Sequence, residues 1–312
     1  MSLPHDPVGT SPPSQRVANL WSWLPAFRAV AETEHLPTAS LRLHVSASAL
    51  SRTIRLLEED VGEPLFDRVG KQLRLNRAGA RLLESTREAM RGIDEGLNAI
   101  RGALYEGPVR VSSVGLLTTT FVVPALGDLR TTHPGLVPHL SNDGAEDAFQ
   151  KLLSGHVDVA FHEEPAVPGE LLMVRLGEIA SALYCGQGHS LYRERGVTLD
   201  DVLQHPFACP PQQLGSPSAD GWPPEQERRV GMVLSHVHLA VEVALSGQLL
   251  VVLPEVVAAP HIGKGLHRLP SPALRGTELF AARRRPLSTA DRAGAVLDAV
   301  RHRVQGWRAQ SR

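Results

Sequence analysis

The chain has 312 residues, enough for about two domains, and its 42% hydrophobic and 21% charged content excludes a disordered or fibrous protein. A formal net charge of −1 excludes a chain that coats nucleic acid by bulk charge, so any DNA affinity rests on a local patch. No apolar run approaches the roughly 18 to 20 residues needed to cross a bilayer, which excludes a helical membrane protein. The two cysteines, Cys185 and Cys209, have no Cys-x-x-Cys spacing and point to a reducing cytoplasm with both thiols packed as small apolar groups.

Residues 1–16 are rich in Pro and Ser, lack a signal-peptide pattern and read as a mobile tail. From Val17 to Glu32, Leu20, Leu24, Phe27 and Val30 recur at helical spacing and predict a first helix despite Pro25. The stretch ASLRLHVSASALSRTIRLL, Ala39 to Leu57, then reads as two short helices joined by a tight turn. The first runs from about Pro37 to Leu43, His44 and Val45 make the turn, and Ser46 stands where a helix N-cap is wanted. In the second helix Ala49, Leu50, Ile54 and Leu57 should face a core, leaving Ala47, Ser48, Ser51, Arg52 and Arg55 outward. Small residues let a helix approach base edges in the major groove, and Arg can hold guanine O6 and N7 together. Ala47, Ser48, Ser51 and Arg52 are therefore the candidate base readers. An ordinary helical hairpin with a solvated face is the alternative on these residues alone.

The following segment, Leu57 to Leu83, has the pattern of a two-stranded wing. Leu65 and Phe66 point inward, Val69, Gly70 and Lys71 turn, and Leu73 and Leu75 alternate with polar residues. Arg68 and Lys71 at its tip, with Arg55, are candidate phosphate contacts. Between Leu41 and Arg91 there are ten Lys/Arg against seven Asp/Glu, a modest positive patch.

With FRAVAE at Phe27 to Glu32, the LHVS turn, ALSR.IR.LE, and PLFDR followed by RLN.AG, the region from about Phe27 to Leu83 resembles the winged helix-turn-helix domain of the LysR-type transcriptional regulators. Two places depart from that pattern. Glu34, His35 and Leu36 stand where the family usually has a glycine, a small hydroxyl residue and an aromatic, and Ala47-Ser48 replaces the usual Gln-Pro. An alanine methyl reaches a thymine methyl but makes no polar base contact, so the usual operator preference does not carry over.

Asn76 can cap a long helix from Arg77 to about Tyr105. Along it Leu83, Thr86, Met90, Ile93, Leu97, Ile100 and Leu104 recur at alternating three and four residues, a heptad seam whose apolar members suit a second copy of the chain. Packing of the stripe on the second domain is the alternative, and the resemblance implies a dimerising linker helix.

After Glu106-Gly107-Pro108 the pattern alternates strand and helix: VRVSSV, a helix over about 116–132, LVPHLS, a helix over 145–153, and VDVAF. It continues with SALYC, a helix over 237–246, LLVVLP, TELFAA and a closing helix over 289–307. Alternation predicts an α/β domain with parallel strands. The resemblance implies a two-lobed effector domain of periplasmic-binding-protein type from 107 to 312. Its first lobe would be 109–162 plus 268–309, and its second 163–267, after a winged domain over 17–76 and a linker over 77–106. A ligand would sit between the lobes at the strands' carboxyl ends. Ser113, Leu116 and Thr118, at a hydroxyl-rich helix start suited to an anion, and His162, at the first crossing between lobes, are candidates on one side. Cys209, His236 and Val237 are candidates on the other. Each polar residue has an ordinary alternative as a cap or a satisfied hydrogen bond.

Neither a catalytic motif nor a cofactor fingerprint is recognisable. His236-x-His238 cannot chelate on a helix, so no metal is expected. The reading is a cytoplasmic DNA-binding regulator, not an enzyme, with double-stranded DNA and a small-molecule effector as partners. The resemblance adds a homodimer that doubles to a homotetramer, and RNA polymerase. The alternative is a regulator-derived ligand-binding or protein-interaction protein whose DNA specificity is lost or altered.

Overall fold

The computed structural model describes residues 13–69, 72–100, 105–163, 165, 171–211, 218–285 and 291–310. Lys71 and Leu104 lie outside the described residues, as does most of the predicted tail. The chain divides into two compact units, Met1–Leu97 and Asn98–Arg312.

In the first unit, α1 (Pro13–Thr33), α2 (Leu36–Leu43) and α3 (Ala47–Val61) precede the hairpin β1 (Phe66–Val69) and β2 (Gln72–Leu75), and α4 (Arg77–Ile100) follows. The core gathers Phe27 and Val30 from α1, Ala39 from α2, Leu50, Ile54 and Leu57 from α3, and Leu65, Phe66 and Leu83. Each fully buried Leu or Ile contributes roughly 1.5–3 kcal/mol, so one apolar stripe fixes how α3 is rolled. Phe27 and Phe66 meet edge to face at 5.8 Å, fastening α1 to the hairpin.

Two expected positions need correction. Ala49 is exposed, so the core stripe of α3 begins at Leu50. Leu83, expected on the dimer seam, is buried with Phe27 and Leu57. The first turns of α4 thus belong to the winged domain, and the expected boundary at 76/77 cuts through packed structure.

Polar groups set the joints. His44 takes a left-handed conformation (φ 54°) at the end of α2, and the Val45 N–H donates to the Ser40 carbonyl. The Ser46 hydroxyl accepts from the Ala49 N–H at 3.2 Å and caps α3. One Glu58 oxygen accepts the N–H groups of Leu65 (2.8 Å) and Phe66 (3.3 Å), tying α3 to the hairpin. Glu34, at the departure from the family pattern, also adopts a left-handed conformation (φ 47°), and its carboxylate accepts the Leu75 N–H at 2.8 Å. The missing glycine has thus been replaced by a residue that braces the wing. Asn76 caps α4 through the Gly79 N–H at 2.8 Å. At Gly79 an added Cβ would fall 2.2 Å from the Leu65 carbonyl oxygen, a contact no side chain tolerates.

The second unit holds two five-stranded sheets. In chain order it contains β3 (Gly107–Ser113), α5 (Gly115–Leu117), a π-helical turn (Thr118–Val122), α6 (Val123–Thr132), β4 (Leu136–Ser141), α7 (Ala145–Leu153), β5 (Val159–His162) and β6 (Leu171–Ile179). Then come β7 (Ser181–Gly186), α8 (Leu199–Leu203), β8 (Phe207–Cys209), β9 (Val230–Val233), α9 (Val237–Leu245), β10 (Leu250–Pro254), α10 (Glu255–Ala258), β11 (Leu266–Leu269), β12 (Thr277–Arg284) and α11 (Arg292–Gln310). The first sheet has the order β4-β3-β5-β12-β6 and the second β11-β7-β10-β8-β9.

Both sheets are mixed rather than parallel: β12 runs antiparallel to β5 and β6, and β7 antiparallel to β10 and β11. Since β6 belongs to the first sheet, the chain changes sheets at Ala180, not after residue 162, and β11 keeps residues 266–269 in the second sheet until β12 returns. His162 therefore ends a strand of the first sheet and does not mark the crossing.

We predict that Glu58→Ala, which strands two backbone donors, destabilises the first unit by about 1–3 kcal/mol while leaving the second unit unchanged. Chemical denaturation followed by a probe in each unit measures both effects.

Candidate functional site

The first candidate surface is the outward face of α3. Ser48, Ser51, Arg52 and Arg55 are exposed, joined by Ala49, and Ala47 is half-buried at the start of the helix. Sequence reasoning missed Ala49 because a small apolar residue beside the stripe looks like part of it. Ser48 Oγ lies 3.0 Å from Ser46 Oγ, so the cap and the exposed serine share a hydrogen bond. Arg55 pairs along the helix with Glu59 at 3.1 Å, with both side chains well exposed. An exposed pair of this spacing contributes only about 0.3–0.5 kcal/mol, so Arg55 can leave Glu59 for another anion at little cost. Arg52 has no side-chain partner among the described residues, and Arg68 on β1 is exposed.

On α4 the predicted seam changes character along its length. Leu83 is buried, Met90 is half-buried with its Sδ 3.7 Å from Arg28 Nη1, and Ile93, Leu97 and Ile100 are 49%, 46% and 85% exposed. Large apolar groups left open in sequence on one helix are an unsatisfied hydrophobic face.

The second candidate site is a cavity of about 730 Å³ between the two sheets of the second unit. Ser113, Ser141 and Glu163 reach it from the carboxyl ends of the parallel strands β3, β4 and β5, and Cys209, Ser235 and His236 from the ends of β8 and β9. Of the residues singled out by sequence, Ser113, Leu116, Thr118, Cys209, His236 and Val237 line this one cavity. The Thr118 hydroxyl donates to Ser113 Oγ at 3.0 Å, and Thr118 opens the π-helical turn. Such turns widen a helix locally and recur at functional sites.

His162 does not line the cavity. It is 3% exposed, its ring stands edge-on to Phe149 at 5.4 Å, and Nε2 has no partner among the described residues. Burial pushes its pKa below the ordinary value, against an opposing pull from Asp143, so the ring is a neutral interior group. Sequence reasoning also missed Thr119, on the π-helical turn, and Asn142 and Thr277, which line the cavity from a loop and a strand end that no period marks.

Cys185 and Cys209 are both buried free thiols. They lie on β7 and β8, which flank β10, so two strand spacings of about 4.8 Å separate them, beyond disulfide reach. Burial pushes the Cys185 thiol up to about 11 and raises that of Cys209 as well. Among the described residues no group of His, Cys, Asp and Glu is placed to hold a metal, and no helix is long and apolar enough to cross a membrane.

A winged helix-turn-helix unit joined to a two-sheet cavity domain is the architecture of a ligand-responsive transcription factor. The bacterial LysR-family regulatory helix-turn-helix matches residues 21–80 and the LysR substrate binding domain matches residues 102–305. The chain belongs to the LysR-type family of transcriptional regulators. It is 27% identical over 254 residues to the HTH-type transcriptional regulator TrpI of Pseudomonas aeruginosa, covering 80% of this chain and 84% of that one. It is 26% identical over 189 residues to the uncharacterized HTH-type transcriptional regulator YybE of Bacillus subtilis, covering 60% of this chain and 65%, just under two thirds, of that relative. Its fold is that of the full-length LysR-type regulator LysG from Corynebacterium glutamicum, solved with bound effector Arg. The TM-score is 0.63 at 22% identity, covering 91% of this chain and 98% of that one.

Because a raised thiol pKa means little thiolate below it, both cysteines should resist iodoacetamide near neutral pH in the folded protein and react once it is denatured. Alkylation followed by intact-mass measurement reads this directly. Rapid native labelling at Cys209 would show that the cavity wall opens.

Proposed function

We propose that the protein is a sequence-specific, cytoplasmic DNA-binding regulator that works as a homo-oligomer and senses a small molecule in the cavity of its second unit. The observation that carries the reading is the outward face of α3. Small side chains and Arg52, which has no side-chain partner among the described residues, stand on a helix whose opposite stripe is buried and whose start is capped. Arg52, with Ala47, Ser48 and Ser51, reads bases, and Arg55, Arg68 and Lys71 hold phosphates. Ile93, Leu97 and Ile100 form the dimer contact, which continues the pattern toward Leu104. The dimer presents two copies of α3 to a roughly symmetric operator, and RNA polymerase is the downstream partner.

The effector acts only if two arrangements of the oligomer bind it with different affinity. A cavity whose walls come from two sheets meets that requirement, because a ligand touching both walls senses their separation. Support for a small-molecule effector comes from the neighbour LysG, which was solved with bound effector Arg.

A mobility shift on the chain's own upstream DNA, at physiological salt against excess random duplex, tests DNA reading. Arg52→Ala should cost about 1–3 kcal/mol on the specific site and relax choice at one base position. Arg68→Ala should weaken specific and random DNA alike and reduce the salt slope by about 1. Equal competition by random duplex for the unaltered protein would favour a regulator that has lost DNA specificity, with Ala47 as the lesion.

For the oligomer, Leu97→Asp places a charge on the exposed seam without touching the buried core. Sedimentation should then show protomers at concentrations where the unaltered protein associates. Unchanged sedimentation would remove α4 from the interface.

A further inference from the structure

We infer that Ala49 is a base-reading residue and that its target is the 5-methyl group of a thymine standing one or two base pairs from the guanine held by Arg52. This rests on the reading of α3 as the helix that enters the major groove. Ala49 lies on the first turn of α3, exposed and outside the buried stripe of Leu50, Ile54 and Leu57. The hydroxyl groups around it are engaged within the protein. Ser46 Oγ accepts the Ala49 N–H at 3.2 Å and lies 3.0 Å from Ser48 Oγ, and the Thr53 hydroxyl donates to the Ala49 carbonyl at 3.0 Å. In the turn just ahead of the helix, the Ser40 hydroxyl donates to the Val45 carbonyl. Beside these hydroxyls stand two apolar groups, the Ala49 methyl and the Val45 side chain, which is 42% exposed.

A methyl group makes no hydrogen bond to a base edge. The apolar feature of the major groove is the thymine methyl, which separates T·A from C·G. Arg52 follows three residues later, next to Ala49 on the helix surface, and side chains at that spacing start about 5–6 Å apart. Base pairs rise about 3.4 Å along the duplex, so two such neighbours meet bases one or two steps apart. The pair reads a short word, a thymine by its methyl and a guanine by O6 and N7.

Duplexes that the full chain selects from a random library supply the DNA, and each thymine of their shared sequence is then replaced in turn by uracil, which lacks only the methyl. Mobility shift compares the thymine and uracil duplexes for the unaltered protein, Ala49→Gly, Ala49→Ser and Arg68→Ala. For the unaltered protein, one thymine in each half-site, within two base pairs of a guanine, should bind about fourfold more weakly as uracil, the worth of one covered methyl. That ratio should fall toward one in both Ala49 variants and persist in Arg68→Ala. Any weakening of the helix by glycine acts on both duplexes alike and cancels in the ratio. If a shared sequence is selected and no thymine in it is sensitive, the methyl contact is overturned and base reading by α3 stands. Sensitivity that survives in both Ala49 variants would belong to another residue and overturn the assignment. A library that yields no shared sequence would overturn base reading and this inference together.

Discussion

A helix that reads base edges must be held rigid by its other side. In this protein the holding is done by Leu50, Ile54 and Leu57, which bury one stripe of α3 and leave a single face to the outside. The helix is also fixed at its ends, by the Ser46 cap at the start and by Glu58, which draws the hairpin onto the last turns. Rotation of α3 about its axis would expose the apolar stripe and break both polar anchors at once. The spacing between Arg68 on the hairpin and the outward face of α3 is thus built into hydrogen bonds rather than left to a flexible joint.

Much of this was legible in the sequence, for identifiable reasons. Helical spacing and capping chemistry act over a few residues, so the two-helix stretch, Ser46, Asn76, and the elements at 136–141 and 145–153 were readable. What escaped depended on distant partners. Leu171–Ile179 forms a strand because β12, about a hundred residues later, pairs along its whole length. No local period announces that, and the crossing between lobes was misplaced accordingly. Leu83 was misassigned for another reason: a heptad position and a core position give the same apolar signal, and only packing separates them. Glu34 shows the converse. A departure from the family pattern is here a brace for the wing.

The cavity was readable in kind but not in its full lining. Strand ends followed by hydroxyl-bearing residues pointed to this wall, and six residues named from sequence line the cavity. The hydroxyl pattern suggested an anion. Tertiary structure adds the carboxylates Glu163 and Asp220 to that wall, from positions that no local pattern marks. His162 failed as a candidate because it points into the interior beside Phe149.

The order of strands also bears on how the chain is made. The second sheet is drawn from one continuous stretch between Ser181 and Leu269, whereas the first sheet needs β12, seated between β5 and β6. During synthesis from the amino end, β6 has no neighbour in its own sheet until Thr277–Arg284 has left the ribosome. The second lobe can therefore close while the first waits, with β5 and β6 as open edges in the interval. Loss of the last forty residues would cost this protein far more than a terminal helix, for it would remove the strand that joins the two halves of its first sheet.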